Sequence, residues 1–170
     1  MKRRILFLSL GVLIIILLVT CRKKEKFPPE PHIDYVSFIR FGEDSAMLHI
    51  NFTDGDGDIG LDAGDTNPPY NIGSEYHDNA FVKYYYQNPT GNFVMIDTTG
   101  PTINFDGTFS YRLPVITPEG KDKALKGEMI FTLKAAGGPY HRDDTVQYEV
   151  YIYDRALNKS NVVRTETIIF

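Results

Sequence analysis

Beyond residue 31, apolar and polar residues alternate in short bursts, and no stretch of ten or more residues keeps a helical apolar period. β-Branched and aromatic runs recur, separated by clusters of Gly, Pro, Asn and Asp. The first run is Ile33 to Phe41. The second, Ala46 to Phe52, sets Ala46, Leu48, Ile50 and Phe52 on one face and Met47, His49 and Asn51 on the other. Further runs are Ala80 to Gln87, Phe93 to Asp97, Phe105 to Leu113, Glu128 to Lys134, Thr145 to Tyr153 and Val162 to Phe170. The clearest is Thr145 to Tyr153, where Val146, Tyr148, Val150 and Ile152 face one way. A single turn around Lys121 to Lys126 is the one helical expectation. The pattern predicts an all-β domain, an immunoglobulin-like two-sheet sandwich of seven or eight strands over residues 32–170. A closed barrel is the alternative, and the unequal connections fit it less well.

The first 20 residues follow a different rule. Lys2, Arg3 and Arg4 precede an almost unbroken apolar run from Ile5 to Val19, the layout of a secretory signal. The run ends in Leu18-Val19-Thr20-Cys21, which resembles the lipobox of bacterial lipoproteins, with Thr20 where Gly, Ala or Ser is usual. That resemblance implies a signal peptide over 1–20 and a lipidated Cys21. An uncleaved signal anchor is the other reading, although the run is short of the roughly 20 apolar residues of a membrane helix. Residues 21–31, basic and rich in proline, predict a flexible tether without a core of its own. The segment resembles the tethers of Bacteroidetes lipoproteins, a group in which an acidic stretch after the cysteine is associated with surface display. Here the stretch is basic, which favours the outer membrane's periplasmic face over the cell surface.

Composition narrows the class. The chain carries 18 Lys+Arg against 22 Asp+Glu, a net charge of −4; its first 20 residues hold three bases and no acid, so the rest stands at −7. An acidic body without a clustered basic face argues against nucleic acid as a partner. One cysteine excludes an internal disulfide and a cysteine-based zinc site.

The chemistry concentrates directly after the second run, in Thr53-Asp54-Gly55-Asp56-Gly57-Asp58-Ile59-Gly60-Leu61-Asp62-Ala63-Gly64-Asp65. Carboxylates at alternate positions repel one another, and a hard divalent cation turns that repulsion into attraction. Calcium takes six to eight oxygens at about 2.3–2.6 Å, and this loop is rich in oxygen donors. Counted from Asp54, Asp54, Asp56, Asp58, Asp62 and Asp65 occupy positions 1, 3, 5, 9 and 12 of an EF-hand-like loop, with Gly60 at the carbonyl-ligand position. Ile59 stands where an EF-hand needs Gly, and the flanks are strands, so the expectation is a calcium loop between strands. A solvated Asp-Gly turn, or a magnesium site, is the competing reading. In an immunoglobulin-type sandwich the loops after the second and sixth strands share one pole. That adds Asp154 and Asn158 as candidate ligands to a shared ion, against an ordinary Asx turn.

Three segments carry a wider resemblance. Phe52 to Leu61, Thr117 to Lys121 with Lys123 to Gly127, and Tyr153-Asp154-Arg155-Ala156-Leu157-Asn158-Lys159-Ser160-Asn161 resemble an uncharacterised family of Bacteroidetes lipoproteins. The likeness implies a sandwich-like extracytoplasmic domain and brings no activity or catalytic residues with it.

No nucleophile elbow, phosphate loop or paired-carboxylate signature stands out, so no enzyme is expected. His77, in Glu75-Tyr76-His77-Asp78, lies within a long loop whose bland reading is solvation. Tyr70 and Tyr76 beside a calcium loop raise the alternative of a calcium-dependent glycan-binding module for polysaccharide uptake, weakened by the absence of tryptophan. The expected partners are therefore a membrane, through Cys21, and a glycan or an envelope protein.

Overall fold

The computed structural model describes residues 26–42, 44–96, 98–100, 103–116, 123–134 and 145–170. The expected signal peptide over 1–20, Cys21 and the start of the expected tether lie outside them. The described residues form eleven strands: β1 (His32–Phe41), β2 (Ser45–Asp54), β3 (Ala80–Gln87), β4 (Phe93–Met95), β5 (Thr98–Gly100), β6 (Ile103–Phe105), β7 (Thr108–Tyr111), β8 (Leu125–Lys134), β9 (Thr145–Ile152), β10 (Val163–Arg164) and β11 (Ile168–Ile169). No helix occurs among the described residues; of the expected turn at 121–126, residues 121 and 122 lie outside them and the last two residues open β8.

One sheet runs β1-β2-β8, all antiparallel. The second centres on the antiparallel pair β9 and β3. There β10 and β11 share the outer edge of β9, while β4 and β7 share the outer edge of β3. The first two strands and β8 in one layer, with β3, β9 and the closing strands in the other, is the immunoglobulin-like arrangement. The strands β5 and β6 form a short separate hairpin.

Period-two patterning drives the layering. Ala46, Leu48, Ile50 and Phe52 are buried on β2, Met129, Phe131 and Leu133 on β8, and Val146, Tyr148, Val150 and Ile152 on β9. They belong to one core with Val82 and Tyr84. Rings bridge the layers: Phe38 of β1 stacks on Tyr148 of β9 at 5.2 Å between centroids, and Tyr111 of β7 meets Phe131 of β8 at 5.2 Å. Burying each such side chain contributes about 1.5–3 kcal/mol, so these faces fix register against a one-residue slip.

The closing strand is broken for a local reason. The Thr165 hydroxyl accepts the Tyr148 amide at 3.1 Å, a place a ladder carbonyl would take, and the run 162–170 divides into β10 and β11 around it. Ser160 does the same one turn earlier, its Oγ accepting the Ile152 amide at 3.0 Å. Asn161 reaches across to the free edge of β1. Its side chain accepts from the Ile33 amide and donates to the Ile33 carbonyl, both at 2.8 Å.

The tether expected over 21–31 is not wholly free. Pro31 is buried, and the Gly55 amide donates to the Pro28 carbonyl at 2.8 Å. The chain therefore packs against the body several residues before β1.

Candidate metal centre

Asp54 is the last residue of β2 and fully buried. One carboxylate oxygen, Oδ2, accepts the amides of Asp58 at 2.9 Å and Ile59 at 3.2 Å. This closes residues 54–59 into a tight turn. The turn is riveted below by Ile59 and Leu61, both buried, with the Leu61 amide donating to the Leu113 carbonyl at 2.9 Å. The loop thus folds because its two apolar residues enter the core while its acids stay above. Gly60 sits at the crossing, with φ +106°. A Cβ there would lie 2.2 Å from the Pro114 carbonyl oxygen.

Each of Asp54, Asp56 and Asp58 offers a carboxylate oxygen, and the three lie within 4.8 Å of one another. Two ligands on one calcium sphere are at most about 4.6–5.2 Å apart, so the spacing fits a single ion. At 4.8 Å two carboxylate charges repel by roughly 3.5 kcal/mol, taking an effective dielectric of about 20. Two further observations point the same way. Asp54 Oδ1 and Asp58 Oδ1 are buried and have no hydrogen-bond partner among the described residues, a costly state for a carboxylate oxygen.

The loop after β9 arrives at the same pole, as the sandwich topology requires. The Arg155 amide donates to the Asp58 carbonyl at 3.2 Å. Asp154, nearly fully buried, accepts the Asn158 backbone amide on Oδ1 at 2.7 Å and its side-chain amide on Oδ2 at 2.8 Å. Its charge reaches both Asp56 and Asp58. Leu157 holds φ 68°, the left-handed region that L-residues seldom occupy, to make this turn.

The remaining predicted ligands are placed elsewhere. Asp62 and Asp65 lie outside the group of three. Asp62 Oδ1 accepts the Gly64 amide, while Asp65 accepts the Asp62 amide and pairs with Arg155. Asn158 spends its amide on Asp154, as an Asx turn does. Gly60 answers a steric demand at the crossing with Pro114. Of the carboxylates on the EF-hand-like spacing, those of Asp54, Asp56 and Asp58 cluster, while those of Asp62 and Asp65 are bonded within the following turn and to Arg155. Tyr70 donates its hydroxyl to the Arg155 carbonyl, and Tyr76 packs edge to face with Tyr153 at 5.4 Å. His77 contacts Asp78, whose other oxygen accepts the Ser110 hydroxyl at 2.6 Å.

Sequence reasoning overlooked the residues that hold this pole together. Buried Asn79 accepts the Leu113 amide at 2.7 Å on its side chain, and its own carbonyl accepts the Tyr153 amide at 2.8 Å. Arg112 donates to the carbonyls of Asp62, Asp65 and His77, stapling the long loop. Their only outward sign is a polar residue beside a strand end, which any turn supplies.

Burial, and then the charges of Asp56 and Asp58, push the Asp54 carboxyl up to about 7. Burial with Asp154 and Asp56 pushes Asp58 up to about 6, and burial raises Asp154 despite its bonds to Asn158. A carboxyl raised in the folded state contributes stability below its ordinary value, near 3.8, and loses it as pH rises through the folded value. Ion-free protein should therefore melt lower at pH 8 than at pH 5, as far as these groups decide. A bound cation needs their anionic forms, so the affinity for any divalent ion held here should fall as pH drops from 8 to 5. Calorimetric titration at pH 6 in two buffers of different ionisation heat should register one to two protons released per ion (about the number of carboxyls held protonated). A pH-independent affinity would contradict this assignment of the centre.

Fold and site together define a class: an immunoglobulin-like sandwich with an acidic, oxygen-only centre at one pole. No family model, curated protein or solved structure matches the chain.

Proposed function

We propose that the chain is a noncatalytic, membrane-tethered extracytoplasmic lipoprotein whose body is a calcium-stabilised β-sandwich module, binding or structural in role. The observation that carries the calcium reading is the fully buried Asp54, whose Oδ1 has no partner among the described residues and whose carboxylate clusters with those of Asp56 and Asp58. Arg155, whose amide reaches the Asp58 carbonyl, commits its guanidinium to Asp65, so a divalent ion is the natural counter-charge for the cluster. Hard oxygen donors favour calcium over a softer transition metal. The basic leader and the Leu18-Val19-Thr20-Cys21 sequence support anchorage through a lipidated Cys21, on the outer membrane's periplasmic side.

Differential scanning calorimetry with 10 mM calcium against chelator tests this. At an affinity in the extracellular range of about 10⁻⁴–10⁻³ M, the ion should add about 1.4–2.7 kcal/mol. For a domain of this size that is a rise of about 3–10 °C in Tm. Replacing Asp56→Ala together with Asp58→Ala should abolish the rise. Identical melting of the parent chain with and without calcium would end the reading.

A further inference from the structure

We propose that the ion at Asp54, Asp56 and Asp58 also governs how the segment ahead of β1 is joined to the body, locking it down when bound and releasing it when lost. The inference rests on the calcium reading and adds a mechanical output to it. Gly55 lies between two of the three acids, and it is the residue that receives the incoming chain. Its amide donates to the Pro28 carbonyl at 2.8 Å. A Cβ at Gly55 would lie 2.3 Å from the Phe27 carbonyl oxygen and 2.4 Å from that of Pro28, so backbone touches backbone with no side chain between. The Nζ of Lys126, on β8, sits over the Phe27 ring, 5.9 Å from its centroid. Pro31, at the end of the segment, is buried.

The coupling follows from where the charges are. Drawing Asp54 and Asp56 onto one ion fixes the backbone on both sides of Gly55, and with it the direction of the Gly55 amide. Without the ion, repulsion between the same two carboxylates turns the peptide planes between them, and a bond of 2.8 Å tolerates little of that motion. Side-chain contacts would adapt to such a shift. Backbone contacts over a glycine cannot. Because linkage is reciprocal, docking of Phe27–Pro31 must strengthen calcium binding by the same factor by which calcium strengthens docking.

The test uses the full chain in detergent micelles, with calcium alone as the probe. Amide hydrogen exchange at Gly55 should slow at least fivefold on calcium addition, the lower end of typical coupling factors of about 5–150-fold. The Thr165 amide, bonded to Tyr148 on the far edge of the second sheet, should slow by less. Phe27→Ala leaves every loop carboxylate in place and should weaken calcium binding by the factor seen in exchange. Calcium heat with unchanged Gly55 exchange would overturn the joint while leaving the calcium site standing. Equal slowing at Gly55 and Thr165, or unchanged affinity in Phe27→Ala, would also overturn it. Absence of any calcium heat would remove both readings.

Discussion

Asp54→Asn should melt about 2–10 °C above the parent chain at pH 8 in chelator, and calcium should leave its melting temperature unchanged. Asparagine keeps an oxygen to accept the Asp58 and Ile59 amides, so the turn over residues 54–59 survives. Its amide group replaces the partnerless Oδ1 and can donate to the neighbouring carboxylates. What disappears is a buried charge that repels Asp56 and Asp58. Relieving an uncompensated buried carboxylate is worth about 1–3 kcal/mol, the source of the expected rise. The sign depends on pH. With the Asp54 carboxyl raised to about 7, the parent is ionised there at pH 8 and neutral at pH 5. The advantage of asparagine should therefore shrink as pH falls from 8 to 5 and vanish only below the ordinary carboxyl value near 3.8. A variant less stable than the parent in chelator at pH 8 would show that the carboxylate is structurally satisfied, and the centre would lose its main support.

Gly60→Ala should cost about 2–5 kcal/mol in chemical unfolding, the sum of a left-handed backbone and a forced overpacking. The methyl would meet the Pro114 carbonyl oxygen at 2.2 Å, and both partners are backbone, so neither can rotate away. Ile59 is the next residue. Moving it would disturb a core contact and the amide that Asp54 accepts. The variant should accordingly lose most of its calcium response along with its stability. If Gly60→Ala unfolds at the parent's midpoint, the crossing with Pro114 is not a fixed part of the fold.

The long strands were legible because they are amphipathic sheets in one dimension. The run Ala80 to Gln87 matches β3 at both ends, and the alternation of Val146, Tyr148, Val150 and Ile152 is the buried face of β9. Short elements were less so. A hydroxyl such as that of Thr165 interrupts a ladder without leaving a mark in hydropathy. In the acidic loop, alternate aspartates at 54, 56 and 58 converge as their spacing suggested. The same spacing overreached at Asp65, since its partner Arg155 arrives from 90 residues further along. Sequence distance holds no trace of such an approach. The placement of Asp154 came from topology, because the pole it shares with the acidic loop is a property of the sandwich itself.

Lastly, the small grip of Asn161 on Ile33 matters wherever copies of the chain meet. An outermost strand with bare amides and carbonyls is a template onto which a neighbouring molecule can zip. A side-chain amide that supplies both a donor and an acceptor stands in for that intruder at the start of β1. The first rung of any chain-to-chain ladder is thereby already occupied, from within the same polypeptide.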